Sequence, residues 1–109
     1  QKVGNYEVVT ATFHAMDMNT LRNLGDQLKG MWENSVVVLA NIVSDDKVEL
    51  LAMVSDAAVI KGAHAGNIIK TVAMATGGGG GGKPQMAQAG GKDASKVAEA
   101  LQKVYALLS

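Results

Sequence analysis

The alternation of apolar and polar positions changes period several times along this chain, and each change marks an element. Tyr6 to Phe13 (YEVVTATF) is rich in β-branched and aromatic residues, with apolar side chains on both faces, and predicts a central, covered strand. From Asp17 the period lengthens. Leu21, Leu24, Leu28 and Met31 recur at helical spacing, Arg22, Asp26 and Lys29 fall on other faces, and Gly30 stands near the end, which predicts an amphipathic helix. Val36 to Val43 (VVVLANIV) and Lys47 to Val54 (KVELLAMV) are two further strands. Ser44-Asp45-Asp46 between them has the residue types of a tight turn, so an antiparallel hairpin is expected.

A short helical turn is expected after Asp56. A second main helix runs from about Ala65 to Thr76, with Ile68, Ile69, Val72 and Ala73 on one side, and ends where the glycines begin. The run Gly77 to Gly82 reads as a loop, followed by Lys83-Pro84, a short strand-like stretch from Met86 to Ala89, the pair Gly90-Gly91, and Lys92. Asp93, a good capping type, opens the last helix, whose apolar stripe is Val97, Leu101, Val104 and Leu108. This order predicts an α/β fold in a single compact domain over residues 1–109: a mixed β-sheet packed with about three main α-helices. No internal repeat is visible.

Composition narrows the class. A chain of 109 residues, 48% hydrophobic, suits one domain with one core. No apolar stretch approaches the roughly eighteen residues needed to cross a bilayer, and no secretory leader is recognisable, so a soluble cytoplasmic protein without membrane contact is expected. The absence of cysteine excludes disulfides and thiolate metal sites. The chain opens on Gln1 rather than methionine, as expected of a piece of a longer protein.

Ten basic and ten acidic residues cancel, so net charge gives no reason to expect nucleic acid. Their distribution does. Lys61, Lys70, Lys83, Lys92 and His64 lie in a stretch from Lys61 to Lys92 that has no Asp or Glu, and any basic field lies there.

The six glycines at 77–82 each cost about 0.5 to 1 kcal/mol relative to alanine in regular structure, so they require a reason. A flexible linker is one, although patterned elements flank the run and it contains no serine. The other is contact: a side-chain-free loop exposes backbone N–H groups that can form a concave anion site, and it lets an RNA backbone or base approach. Gly77 to Lys83 has Walker A spacing. However, Pro84 stands where that loop needs a hydroxyl for magnesium, and a helix precedes it instead of a strand. The dinucleotide-binding reading fails because these glycines close a helix rather than open one. Lys83 and Lys92 bracket the run in a way that suits phosphate contact, with a solvated surface role as the alternative for each. Gln88 is suited either to a base edge or 2′-hydroxyl or to local backbone groups.

Catalytic chemistry is not recognisable. His14 and His64 lack a second ligand at i+3 or i+4, so no metal site is predicted. His64 stands at the start of the second helix, where it either meets RNA or hydrogen-bonds an uncapped N–H. Asp45-Asp46 reads as a turn rather than an acid/base pair. Trp32 and Tyr6 are read as core or rim packing rather than base-stacking platforms. No nucleophile has a placed base, so no catalytic residue is expected.

The string GGGGGGKPQMAQAGGKD, Gly77 to Asp93, resembles the signature of the C-terminal domain of alanyl-tRNA synthetases, and GAHAGNIIK, Gly62 to Lys70, is similar to a second motif of that domain. The elements follow the family's order over essentially the whole chain. The resemblance implies a non-catalytic C-terminal module that binds the elbow of tRNA(Ala), where the D and T loops meet, and helps couple aminoacylation with editing of mischarged tRNA. By motif match it implies RNA-facing positions at His64, Gly77, Gly78, Gly79, Gly80, Gly81, Gly82, Lys83, Gln88, Gly91 and Lys92.

The parent implied is an alanine-tRNA ligase that uses ATP, magnesium and zinc in other domains, contacts this module through those domains, and can form a homodimer; no cofactor is implied for this segment. Two alternatives stay open. A similar glycine-rich domain accompanies DHH-type phosphoesterases and grips a nucleotide or oligonucleotide substrate, though a histidine usually follows its glycines and Lys83 stands there here. The other is a free-standing nucleic-acid-binding module.

Overall fold

The computed structural model describes residues 1–108. It contains β1 (Lys2–Val3), β2 (Tyr6–His14), α1 (Met18–Lys29), β3 (Ser35–Ser44), β4 (Lys47–Val54), α2 (Asp56–Ile60), α3 (Ala65–Ala75), β5 (Gly79–Gly82), β6 (Met86–Gly91) and α4 (Val97–Leu108). The strands form one sheet in the order β1-β2-β3-β4-β6-β5. Only β2 and β3 are parallel, joined by α1 as crossover helix, and the other neighbours are antiparallel. The periodicity predicts a mixed sheet packed with helices, and the structure places those helices on both faces.

Strand alternation sorts the sheet into two cores. On one face Val36, Val38, Ala40, Leu50, Ala52 and Val54 pack with Ile69 and Val72 of α3 and Ala100 and Val104 of α4. On the other, Val37, Leu39, Leu51 and Met53 pack with Leu21 of α1. Asp17 caps α1, its carboxylate accepting from the Thr20 N–H at 3.2 Å. Gly25 lets α1 sit close: a methyl there would stand 2.9 Å from the Met53 sulfur.

The structure corrects several expectations. β2 is next to the edge rather than central, and Val8 is its one buried residue. The predicted stripe of α1 ends too late: the helix stops at Lys29, and Met31 is 62% exposed beyond the Gly30 cap. Asp93 caps a 3₁₀ turn at Ala94–Lys96, from which α4 starts at Val97. The glycine run is not a loop, because Gly79–Gly82 is the edge strand β5. Trp32 lies on the rim, and the half-buried Tyr6 donates its hydroxyl to the Lys61 carbonyl at 3.0 Å.

Candidate nucleic-acid interface

The glycine strand is held on one side by β6, with Gly79 opposite Gly90, Gly80 opposite Ala89, Gly81 opposite Gln88 and Gly82 opposite Ala87. Alternation gives the glycines two different roles. Gly80 and Gly82 turn toward the α3 face, where an added Cβ would collide with the Cβ atoms of Ala89 and Ala87. A Cβ on Gly78 would collide with the Gly90 carbonyl, and Gly77 has φ +77°, which side chains rarely adopt. Gly79 and Gly81 face the other way, with no atom within 4 Å of an added Cβ. Close packing therefore requires glycine at 78, 80 and 82, and the solvent face does not require it at 79 and 81.

A strand cannot form the anion-binding concavity expected of a glycine loop. Successive N–H groups in a strand point to opposite edges and do not converge. The N-terminus of α3 offers no substitute, because its first donors are all taken. Ala65 N–H donates to the Pro84 carbonyl at 2.9 Å, Gly66 to Lys83 at 3.2 Å and Ile68 to His64 at 3.0 Å. Asn67 N–H donates to His64 Nδ1 at 3.1 Å. His64 is thus the α3 cap, and its accepting Nδ1 places the ring proton on Nε2, whose N–H remains available.

These bonds tie α3 to the β5–β6 turn, which Lys83 N–H closes onto the Met86 carbonyl at 2.9 Å. His64, Gly82 and Lys83 are thereby brought to one end of the hairpin. Lys92 and Gly77 lie at the other, where Lys92 N–H and Asp93 N–H both donate to the Thr76 carbonyl, at 2.8 and 3.0 Å. Six residues of β6 separate the ends, a span of about 17–20 Å, so Lys83 and Lys92 cannot meet one phosphate. Gly91 is buried against Thr76, which leaves no room for a side chain, and its position follows from packing.

Gln88 is half-exposed on the face of Gly81, and a shallow depression there is lined by Gly81, Gly82, Lys83, Met86, Ala87 and Gln88. Lys61 and Lys70 lie elsewhere, on the α2 cap and on α3. Among the described residues none of Lys61, Lys70, Lys83 and Lys92 forms an ion pair, so their charge is available to a partner. Asp93 beside Lys92 is the exception to the basic trend. The Ser95 hydroxyl and N–H hold its carboxyl below the usual range. No group of three or more His, Cys, Asp or Glu among the described residues is placed to hold a metal, and no described helix is long and apolar enough to cross a membrane. Sequence reasoning missed the groove between α3 and the end of α4, whose walls lie about forty residues apart in the chain.

The DHHA1 domain family matches residues 5–109. The chain belongs to the DHHA1 family. Alanine–tRNA ligase 1 of Lachnoclostridium phytofermentans is 56% identical over 92 residues, covering 84% of this chain and 10% of that protein. Alanine–tRNA ligase of Geobacillus thermodenitrificans is 53% identical over 104 residues, covering 95% of this chain and 12% of that protein. The chain thus spans about one-tenth of the length of these relatives. The crystal structure of the C-Ala domain from Aquifex aeolicus alanyl-tRNA synthetase superposes with a TM-score of 0.90 at 31% identity, covering 100% of this chain and 96% of that one. The DHHA1 fold here, a mixed six-stranded sheet with four helices, is the C-Ala fold.

Proposed function

We propose that this DHHA1 domain is the non-catalytic, tRNA-holding module of an alanyl-tRNA synthetase. It contacts the elbow of tRNA(Ala) with the glycine hairpin and helps couple aminoacylation with editing in the parent enzyme. The observation that carries this reading is the solvent face of β5 and β6. Gly79 and Gly81 stay free of side chains where packing does not ask for it, and Lys83 stands unpaired at the end of the same hairpin. Such a surface admits a flat base or sugar edge closely while a lysine meets a neighbouring phosphate. His64, with its free Nε2–H, and Gln88 are further candidate contacts, and Lys92 reaches the RNA farther along the strand. Gly78, Gly80, Gly82 and Gly91 serve by shaping the hairpin.

ATP, magnesium and zinc belong to other domains of the parent, as does dimerisation. The names of the relatives and Lys83 in place of a histidine favour the synthetase over a phosphoesterase accessory domain. A gel-shift comparison of intact tRNA(Ala) with its anticodon stem-loop tests the reading. Preference for intact tRNA is expected, weakening steeply with salt. Equal binding to both would sink elbow recognition, and preference for short oligonucleotides over tRNA would support the phosphoesterase-type role.

A further inference from the structure

A concave feature lies apart from the glycine hairpin. A groove of about 170 Å³ lies between α3 and the C-terminal end of α4, with His64, Asn67, Ile68 and Thr71 on one side and Leu107 and Leu108 on the other. We propose that this groove holds a single unstacked nucleobase of the bound RNA. The inference rests on the RNA-binding reading above and assigns a second contact outside the glycine hairpin.

The lining matches one base in chemistry. Leu107, 49% exposed, and the half-buried Leu108 offer an apolar wall for a ring face over a floor that includes the buried Ile68, and the groove is smaller than typical drug-sized pockets, so it takes one ring system rather than a dinucleotide. The polar groups provide both signs of hydrogen bond that a base edge needs. His64 Nε2–H is a donor, since Nδ1 is committed to the Asn67 N–H. The exposed Asn67 side-chain amide is both donor and acceptor and has no protein partner among the described residues. Thr71 donates its hydroxyl to the Asn67 carbonyl at 3.3 Å, which leaves its oxygen as an acceptor.

Charge favours the same occupant. The α3 side of the groove comes wholly from the stretch that lacks Asp and Glu, and in sequence the exposed, unpaired Lys61 directly precedes its lining residue Gly62 while the exposed, unpaired Lys70 directly precedes Thr71. They suit the phosphates on either side of an inserted base. His64 also connects the two surfaces, because it lines the groove while its ring lies beside Gly66 and the Gly82 end of β5.

The test is amide chemical-shift mapping on the ¹⁵N-labelled 109-residue chain, titrated separately with tRNA(Ala), each nucleoside monophosphate and inorganic phosphate. Both tRNA and at least one monophosphate should shift Asn67, Ile68, Thr71 and Leu108, whereas phosphate should not. Asn67→Leu keeps the backbone N–H that His64 caps, so the fold should persist while monophosphate affinity falls about tenfold. Shifts confined to β5, β6 and Lys83 on tRNA binding would overturn the groove and leave the elbow reading intact, as would an unchanged affinity in Asn67→Leu. An equal response to inorganic phosphate would show an anion site instead of a base site. Absence of any shift with tRNA at low salt would overturn both.

Discussion

Gly66 lies directly against Gly82: a methyl group on Gly66 would stand 2.6 Å from the Gly82 carbonyl oxygen. The first turn of α3 is therefore seated on the end of the glycine strand, where Gly66 N–H also donates to the Lys83 carbonyl. Gly66→Ala should destabilise the domain by about 1–3 kcal/mol, since backbone on both sides must move. Thermal unfolding checks this, and an unchanged Tm would mean that the two elements are not in close contact.

Within the glycine strand, substitutions should have opposite signs. Gly79→Ala and Gly81→Ala put a methyl into open space and should stabilise the fold by about 0.4–1 kcal/mol, mainly by restricting the unfolded chain. Gly80→Ala and Gly82→Ala meet Ala89 and Ala87 and should destabilise it. Denaturant titration of the four variants gives the comparison, and uniform behaviour would refute the division of the strand into packed and open faces.

His64 has a capping duty separate from any RNA contact. Replacing it with Ala should cost about 0.5–2 kcal/mol, the usual range for a lost cap, while Asn should restore most of it. If His64→Asn keeps the stability yet weakens tRNA binding, the free Nε2–H is the RNA-facing group. Equal loss of stability in both variants would count against capping.

Lys83 should act through charge. Lys83→Gln should weaken tRNA binding and reduce the slope of log affinity against log salt by about one, with Tm unchanged. An unaltered slope would remove Lys83 from the interface.

Asp93 supplies a pH dependence. Its folded pKa is depressed below the ordinary value of 3.8, mainly by the Ser95 hydroxyl, so its contribution is present above that value and is lost as pH falls through the lower folded one. Asp93→Asn should flatten the acid limb of a Tm-against-pH curve below about 3.8. A wild-type curve no steeper than the variant's would contradict this, and a small effect is expected for so accessible a group.

What the sequence disclosed depended on side chains having a period. Leu21, the Val36–Val54 hairpin, Ile69 and Val104 sit where their spacing places them, because each faces a core. Gly79–Gly82 has no side chains and hence no period, and it becomes a strand only because β6 supplies the ladder and α3 anchors the turn. β1 is two residues long, too short for any pattern. For the site, the capping duty of His64 was legible from its place before a helix, and the motif drew attention to the glycine hairpin. Which glycines face solvent was not legible, since that follows from register, and the groove at Asn67 and Leu107 joins elements that only the tertiary structure brings together.

The most direct test of the central claim is the affinity of the 109-residue chain for intact tRNA(Ala), measured for wild type and Gly81→Val together with Tm. A branched side chain suits a strand, and an added Cβ at this position has no atom within 4 Å, so Tm should hold or rise. Affinity should fall about tenfold or more if the RNA lies against this face. Undiminished affinity with an intact fold would contradict the account.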